Sequence, residues 1–116
     1  MKLLAIFLVA ALSASNPIIL SVHPQVAIVK SDIDIQVRIF PLKDNRLLTI
    51  KMVGGDIDNA SEKQLDGENA PILWKSYYKD VLSGHYEVSA WITQSNGKII
   101  KAPNVVVEIR GNATGQ

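Results

Sequence analysis

The chain has 116 residues, with 12 Lys and Arg against 11 Asp and Glu, 47% apolar residues and no cysteine. That is the length of one domain, with enough apolar material for a core, and its scattered, balanced charge lacks the basic stripe that nucleic-acid binding needs. The missing cysteine excludes disulfides, thiolate metal sites, a cysteine nucleophile and a lipidated cysteine.

Residues 1–15 have the make-up of a secretory signal peptide. Lys2 gives the positive end, Leu3 to Leu12 is an unbroken apolar run, and Ser13, Ala14 and Ser15 are small enough for cleavage after Ser13 or after Ser15. Ten residues of helix reach about 15 Å, half of a ~30 Å hydrocarbon core, so the run predicts export rather than a membrane span. The expected layout is a signal peptide over 1–15, one domain over 16–110 and a loose polar tail over 111–116, in a periplasmic or extracellular protein.

Ile18–Val22 reads as a first strand that His23-Pro24 breaks, and Ala27–Val29 resumes it on a second sheet. Asp32 to Phe40 alternates with period two, placing Ile33, Ile35, Val37 and Ile39 inward. Pro41 ends that strand, and Lys43-Asp44-Asn45 is a turn. Arg46 to Val53 is the next strand, with Leu48, Ile50 and Met52 as its core face and Leu47, Thr49, Lys51 and Val53 opposite. Gly54-Gly55 stops it. The polar stretch from Asp56 to Pro71 predicts a long connection that holds at most a short edge strand.

Ile72–Tyr78 is a further strand. It leads to Leu82-Ser83-Gly84-His85-Tyr86, a corner in which Leu82 plugs the base of the core and Gly84 permits the sharp turn. Tyr86, Val88, Ala90 and Ile92 then face inward, and Glu87, Ser89, Trp91 and Thr93 outward. Ser95-Asn96-Gly97 turns the chain. A two-residue loop would pair Ile92 with Lys101 and bury an ammonium. A three-residue loop with Gly97 left-handed pairs Ile92 with Ile100 and Ala90 with Ala102, and is the register expected. Pro103-Asn104 interrupts the last strand, whose core face is Val105, Val107 and Ile109. About seven short strands, with turns at short spacing and no helix after the leader, predict an all-β antiparallel Greek-key sandwich.

Little in the chain points to catalysis. His23 and His85 sit at turns without a second ligand in metal-binding spacing. No nucleophile elbow, phosphate loop or Ser-His-Asp set stands out, so the protein is expected not to be an enzyme. Asp56, Asp58, Asp66 and Glu68 place hard oxygen ligands in what reads as one long loop, which makes weak calcium binding a candidate beside the plainer role of turn residues. Trp91 turned outward, with Lys101 opposite and Leu47 and Val53 on the same sheet surface, is a candidate binding face for a protein or a glycan, or a surface for self-association. Packing of Trp91 beneath the lysine stem is the structural alternative. Asn59-Ala60-Ser61 and Asn112-Ala113-Thr114 fit the glycosylation sequon.

The pattern Leu82-x-x-Gly84-x-Tyr86-x-Val88-x-Ala90 resembles the corner and sixth strand of immunoglobulin-like and fibronectin type III-like sandwiches, in which the tyrosine hydroxyl caps the corner backbone. Together with Asn45-Arg46-x-Leu48 and Gln64-Leu65-Asp66-Gly67, it looks like small exported bacterial proteins built from one such domain. The resemblance covers residues 17–110 and implies a non-enzymatic scaffold at the cell envelope, for binding or as a structural subunit. The cysteine pair and core tryptophan of antibody domains are absent, and fold likeness alone supplies no function.

Overall fold

The computed structural model describes residues 17–28 and 30–111. The signal peptide expected over 1–15 and nearly all of the expected tail lie outside the described residues. Among these residues nine strands follow in order: β1 (Ile18–His23), β2 (Val26–Ile28), β3 (Ser31–Ile39), β4 (Asn45–Gly54), β5 (Ile57–Gln64), β6 (Leu73–Val81), β7 (Gly84–Gln94), β8 (Ile99–Lys101) and β9 (Val105–Arg110). A single 3-10 turn, Gly67–Asn69, lies between β5 and β6.

Two sheets face each other. The smaller has the order β1-β3-β6, and the larger runs β2-β9-β7-β4-β5, with β8 also paired to β7. The first strand switches sheets as expected: β1 is antiparallel to β3, and after Pro24 the chain crosses to lie beside β9 as β2. The β2–β9 pair is parallel, so the sandwich is not purely antiparallel.

The core follows the alternation of the sequence. Ile33, Ile35, Val37 and Ile39 from β3 meet Leu48, Ile50 and Met52 from β4 and Tyr86, Val88, Ala90 and Ile92 from β7, all buried. Each such aliphatic side chain contributes about 1.5–3 kcal/mol relative to an exposed position. The β7–β8 hairpin takes the predicted register, with Ile92 opposite Ile100 and Gly97 at φ +88°. Lys101 therefore stays in solvent while Ala102 is buried.

Three expectations change. The stretch after Gly55 is no long connection, because Gly55-Asp56 makes a tight turn and β5 pairs with β4 along its whole length. Past Ile57, the inward positions of β5 carry Asn59, Ser61 and Lys63 rather than apolar residues, so the alternation that marks a half-buried strand is missing. Asn45 is more than a turn residue: its N–H closes the expected turn on the Leu42 carbonyl at 3.1 Å, and it is also the fully buried first residue of β4. Leu82 does not plug the core; it is 56% exposed, and Val81 fills that place at 3%. Asp80, at φ +54°, shifts the chain by one position between the regular part of β6 and the corner.

Candidate functional site

The corner is built around the Tyr86 ring. Its hydroxyl donates to the carbonyl of Leu82 at 2.8 Å, which fixes the Leu82 backbone and turns that side chain outward. Gly54, Gly55 and Gly84 line the ring, each close enough that an added Cβ would touch it. Gly54-Gly55 therefore forms the wall of the tyrosine pocket as well as ending β4.

A second tie holds the same end of the molecule. Asp32 accepts the Tyr77 hydroxyl at 2.7 Å on Oδ2 and the Asp80 backbone N–H at 2.9 Å on Oδ1. The N–H bond from Asp80, and next the Tyr77 hydroxyl, hold the Asp32 carboxyl below the ordinary aspartate range. The same bond raises Tyr77. Because the folded-state value of Asp32 lies below the unfolded one, its contribution is complete above the unfolded value near 4 and is lost as pH falls through the folded value. Replacing Asp32 with asparagine is expected to flatten the acid limb of the stability curve below pH ~4, read by urea midpoints across pH, with little change in shape at neutral pH. An unchanged acid limb would remove this carboxylate from the account.

The four acidic candidates do not converge. Asp56 is in the β4–β5 turn and Asp58 near the start of β5, whereas Asp66 and Glu68 follow its end. The extended chain between Asp58 and Gln64 spans roughly 20 Å. Among the described residues, no three or more of His, Cys, Asp and Glu come together as metal ligands.

Trp91 does lie on the outer face of the larger sheet, in a row running Glu62, Thr49, Trp91, Lys101 across β5, β4, β7 and β8. Leu47 is one cross-strand pair away, opposite Thr93, while Val53 sits at the far end opposite Glu87. Trp91 is half-buried, and Thr49 beside it is only 5% exposed. Three of the four predicted residues thus share a neighbourhood, in which the indole covers the sheet more than it projects from it.

Two features were missed at the sequence level. Ser21 and His23 on β1 lie on the same face as Asp34, which pairs directly with His23 on β3, and a shallow surface depression is lined by all three. Among the described residues no ion pair joins His23 to Asp34, so the three are neighbours rather than a relay. The second feature is a groove of about 330 Å³ at one end of the smaller sheet, lined by Ile19, Arg38, Ile39, Phe40, Pro41 and Ile72. Ile19, Phe40, Ile72 and the adjoining Leu73 are all exposed, Phe40 by 54%. Arg38 sits between Ile19 and Leu73 in one cross-strand row and is the only charged residue of the groove. The signal was present in the sequence as apolar residues at positions of the wrong parity for the core.

No protein-family model matches the chain, and no curated protein matches it by sequence. Among solved structures, the sulfur carrier protein SoxY from Chlorobium limicola f. thiosulfatophilum superposes with a TM-score of 0.62 at 14% identity, over 93% of this chain and 98% of that one. The superoxide reductase (neelaredoxin) from Ignicoccus hospitalis gives 0.59 at 12% identity, over 82% and 81% of the two chains. The soluble domain of PmoD from a Methylocystis species gives 0.55 at 10% identity, over 79% and 90%. At these identities the likeness is one of fold, a β-sandwich shared by proteins of varied roles.

Proposed function

We propose that the chain is an exported, non-enzymatic β-sandwich module that docks a protein partner at the groove beside Phe40. The observation that carries this reading is the cluster of exposed Ile19, Phe40, Ile72 and Leu73 around a single cation, Arg38. Scattered exposed apolar residues need no explanation, but a contiguous patch with one central charge marks an interaction surface. The chemistry of the patch selects a partner segment that offers a large apolar side chain to the groove and a carboxylate to Arg38. The leader-like character of residues 1–15 supports export. The Trp91 face supports a glycan or protein contact less well, because the indole is already half covered.

The test is selection from a displayed random-peptide library on the purified protein, followed by titration of the enriched peptides. Sequences pairing Phe or Leu with Asp or Glu should emerge. Phe40→Ser should weaken their binding about tenfold or more with an unchanged melt, since the side chain is exposed. Arg38→Glu should turn the preference towards Lys and Arg. Enrichment that ignores both substitutions, or saturable binding only to glycans that Trp91→Ala abolishes, would overturn the assignment.

A further inference from the structure

Among the described residues, β5 and β6 each end a sheet and are hydrogen-bonded on one side only, as are β1 and β2 at the opposite edges. Strands β5 and β6 lie on the same side of the sandwich, since the Tyr78 hydroxyl of β6 donates to Oδ1 of Asn59 on β5 at 2.8 Å. They also run in opposite directions. Ile57, at the start of β5, shares a cleft with Tyr78 and Val81 at the end of β6, and Gln64 leads through a short connection to the start of β6. Unpaired edges invite strand addition, and natural sheets commonly blunt them with charge. Here the charges differ between the two edges. The outward positions of β6 carry Lys75 and Lys79, those of β5 carry Asp58 and Glu62, and all four are exposed.

We infer that a second copy of this chain docks on this side, related by a two-fold axis that runs along the strands midway between the sheets. Such an axis turns the second molecule over, so that its β5 extends the smaller sheet beside β6 while its β6 extends the larger sheet beside β5. The contact is isologous and closes at two copies. Rotation about the strand direction leaves heights along the strands unchanged, so the level pairing of Asn59 with Tyr78 within one molecule also sets the register between molecules. In that register the pairing is antiparallel. Lys75 lies opposite Glu62 of the second copy, Lys79 opposite Asp58, and the large Tyr77 opposite the small Ala60. On the inner face it brings Ser76 to Ser61, whose hydroxyl is the one buried side-chain polar atom among the described residues without a hydrogen-bond partner. One register therefore satisfies both charge pairs and reaches the orphan hydroxyl, which other slips along the edge do not. The alternative two-fold, with β6 against β6, sets lysines on the same edge against lysines.

This inference rests on the edges and not on the groove at Phe40. It is tested by the solution mass of the purified protein, by sedimentation or light scattering over a wide concentration range at low and high salt. The wild type should be a dimer that salt weakens. Lys75→Glu or Glu62→Lys alone makes two like-charge contacts per dimer through the symmetry, and should raise the dissociation constant about tenfold or more. An equimolar mixture of the two variants should restore the dimer, because one copy's reversed charge then faces the other's. Phe40→Ser should leave the mass unchanged, which separates this interface from the docking groove. A wild type that stays monomeric at every concentration would overturn the proposal. So would a dimer indifferent to both reversals, or two monomeric variants with unchanged melts that fail to pair on mixing.

Discussion

Gly54→Ala is expected to lower the unfolding free energy by about 3 kcal/mol or more, a large share of the 5–15 kcal/mol typical of a domain. A Cβ at this position would lie 2.7 Å from Cδ2 and 2.8 Å from Cα of Tyr86, and would overlap the carbonyl oxygen of His85. None of these atoms is the free end of a flexible chain. The ring is 3% exposed and its hydroxyl is held by Leu82, while the other two belong to the backbone of β7. Relief would mean separating β4 from β7 where Val53 pairs with Glu87, in the middle of the larger sheet. The φ of +154° adds a backbone penalty for any L side chain. Gly97→Ala is the control. It sits at φ +88° with nothing within 4 Å of an added Cβ, so it should show only the left-handed cost of about 1–2 kcal/mol. Urea unfolding of the two variants decides the point. Equal losses would mean that the approach of β4 to Tyr86 has slack that the geometry denies.

The same corner shows what a sequence can and cannot disclose here. The inward set of β7, Tyr86 included, follows from alternation, because period-two burial is a local property, while the tyrosine's bond to the backbone is what the resemblance of the corner motif implies. The register of the β7–β8 hairpin also follows locally, since the wrong choice would bury Lys101. The glycine wall does not, because the contact joins residues 54 and 86 across two strands. The misplacement of Leu82 has a similar cause: one left-handed residue, Asp80, moves the parity by one, and nothing around it announces that conformation. Strand β5 is longer than the short edge strand the sequence allows, because an edge at the open side of a sandwich has little to bury and so little alternation to show. Its inward Asn59, Ser61 and Lys63 read as loop. That same polarity dispersed the four carboxylates expected in one loop to opposite ends of a strand. Trp91 lies on the face that alternation predicts, but its neighbour Thr49, outward and polar by the same alternation, is nearly covered.

Asn45 is the polar residue most at odds with its surroundings, and its replacement carries the second large effect. It is fully buried, its Nδ2 donates to the Phe40 carbonyl at 3.1 Å, and its Oδ1 accepts from Gln94 Nε2 at 3.0 Å. These two bonds clamp the β3–β4 connection to the last residue of β7, where the Ser95 N–H also reaches the Asp44 carbonyl at 2.8 Å. Asn45→Ala removes both side-chain bonds and leaves their partners facing a small void, at an expected cost of about 3 kcal/mol in urea unfolding. Asn45→Asp separates the hydrogen bonds from the packing. A neutral carboxyl keeps one donor for Phe40 and one acceptor for Gln94, whereas the ionised form loses the donor and is desolvated, so burial raises its folded-state pKa. A raised folded value means stability close to that of the wild type below the unfolded pKa of about 3.9, lost progressively as pH rises through the folded value. The variant should therefore weaken between pH 4 and pH 7, opposite in sense to the acid limb set by Asp32. A pH-independent loss equal to that of Asn45→Ala would show that volume, not the paired donor and acceptor, is what this position supplies.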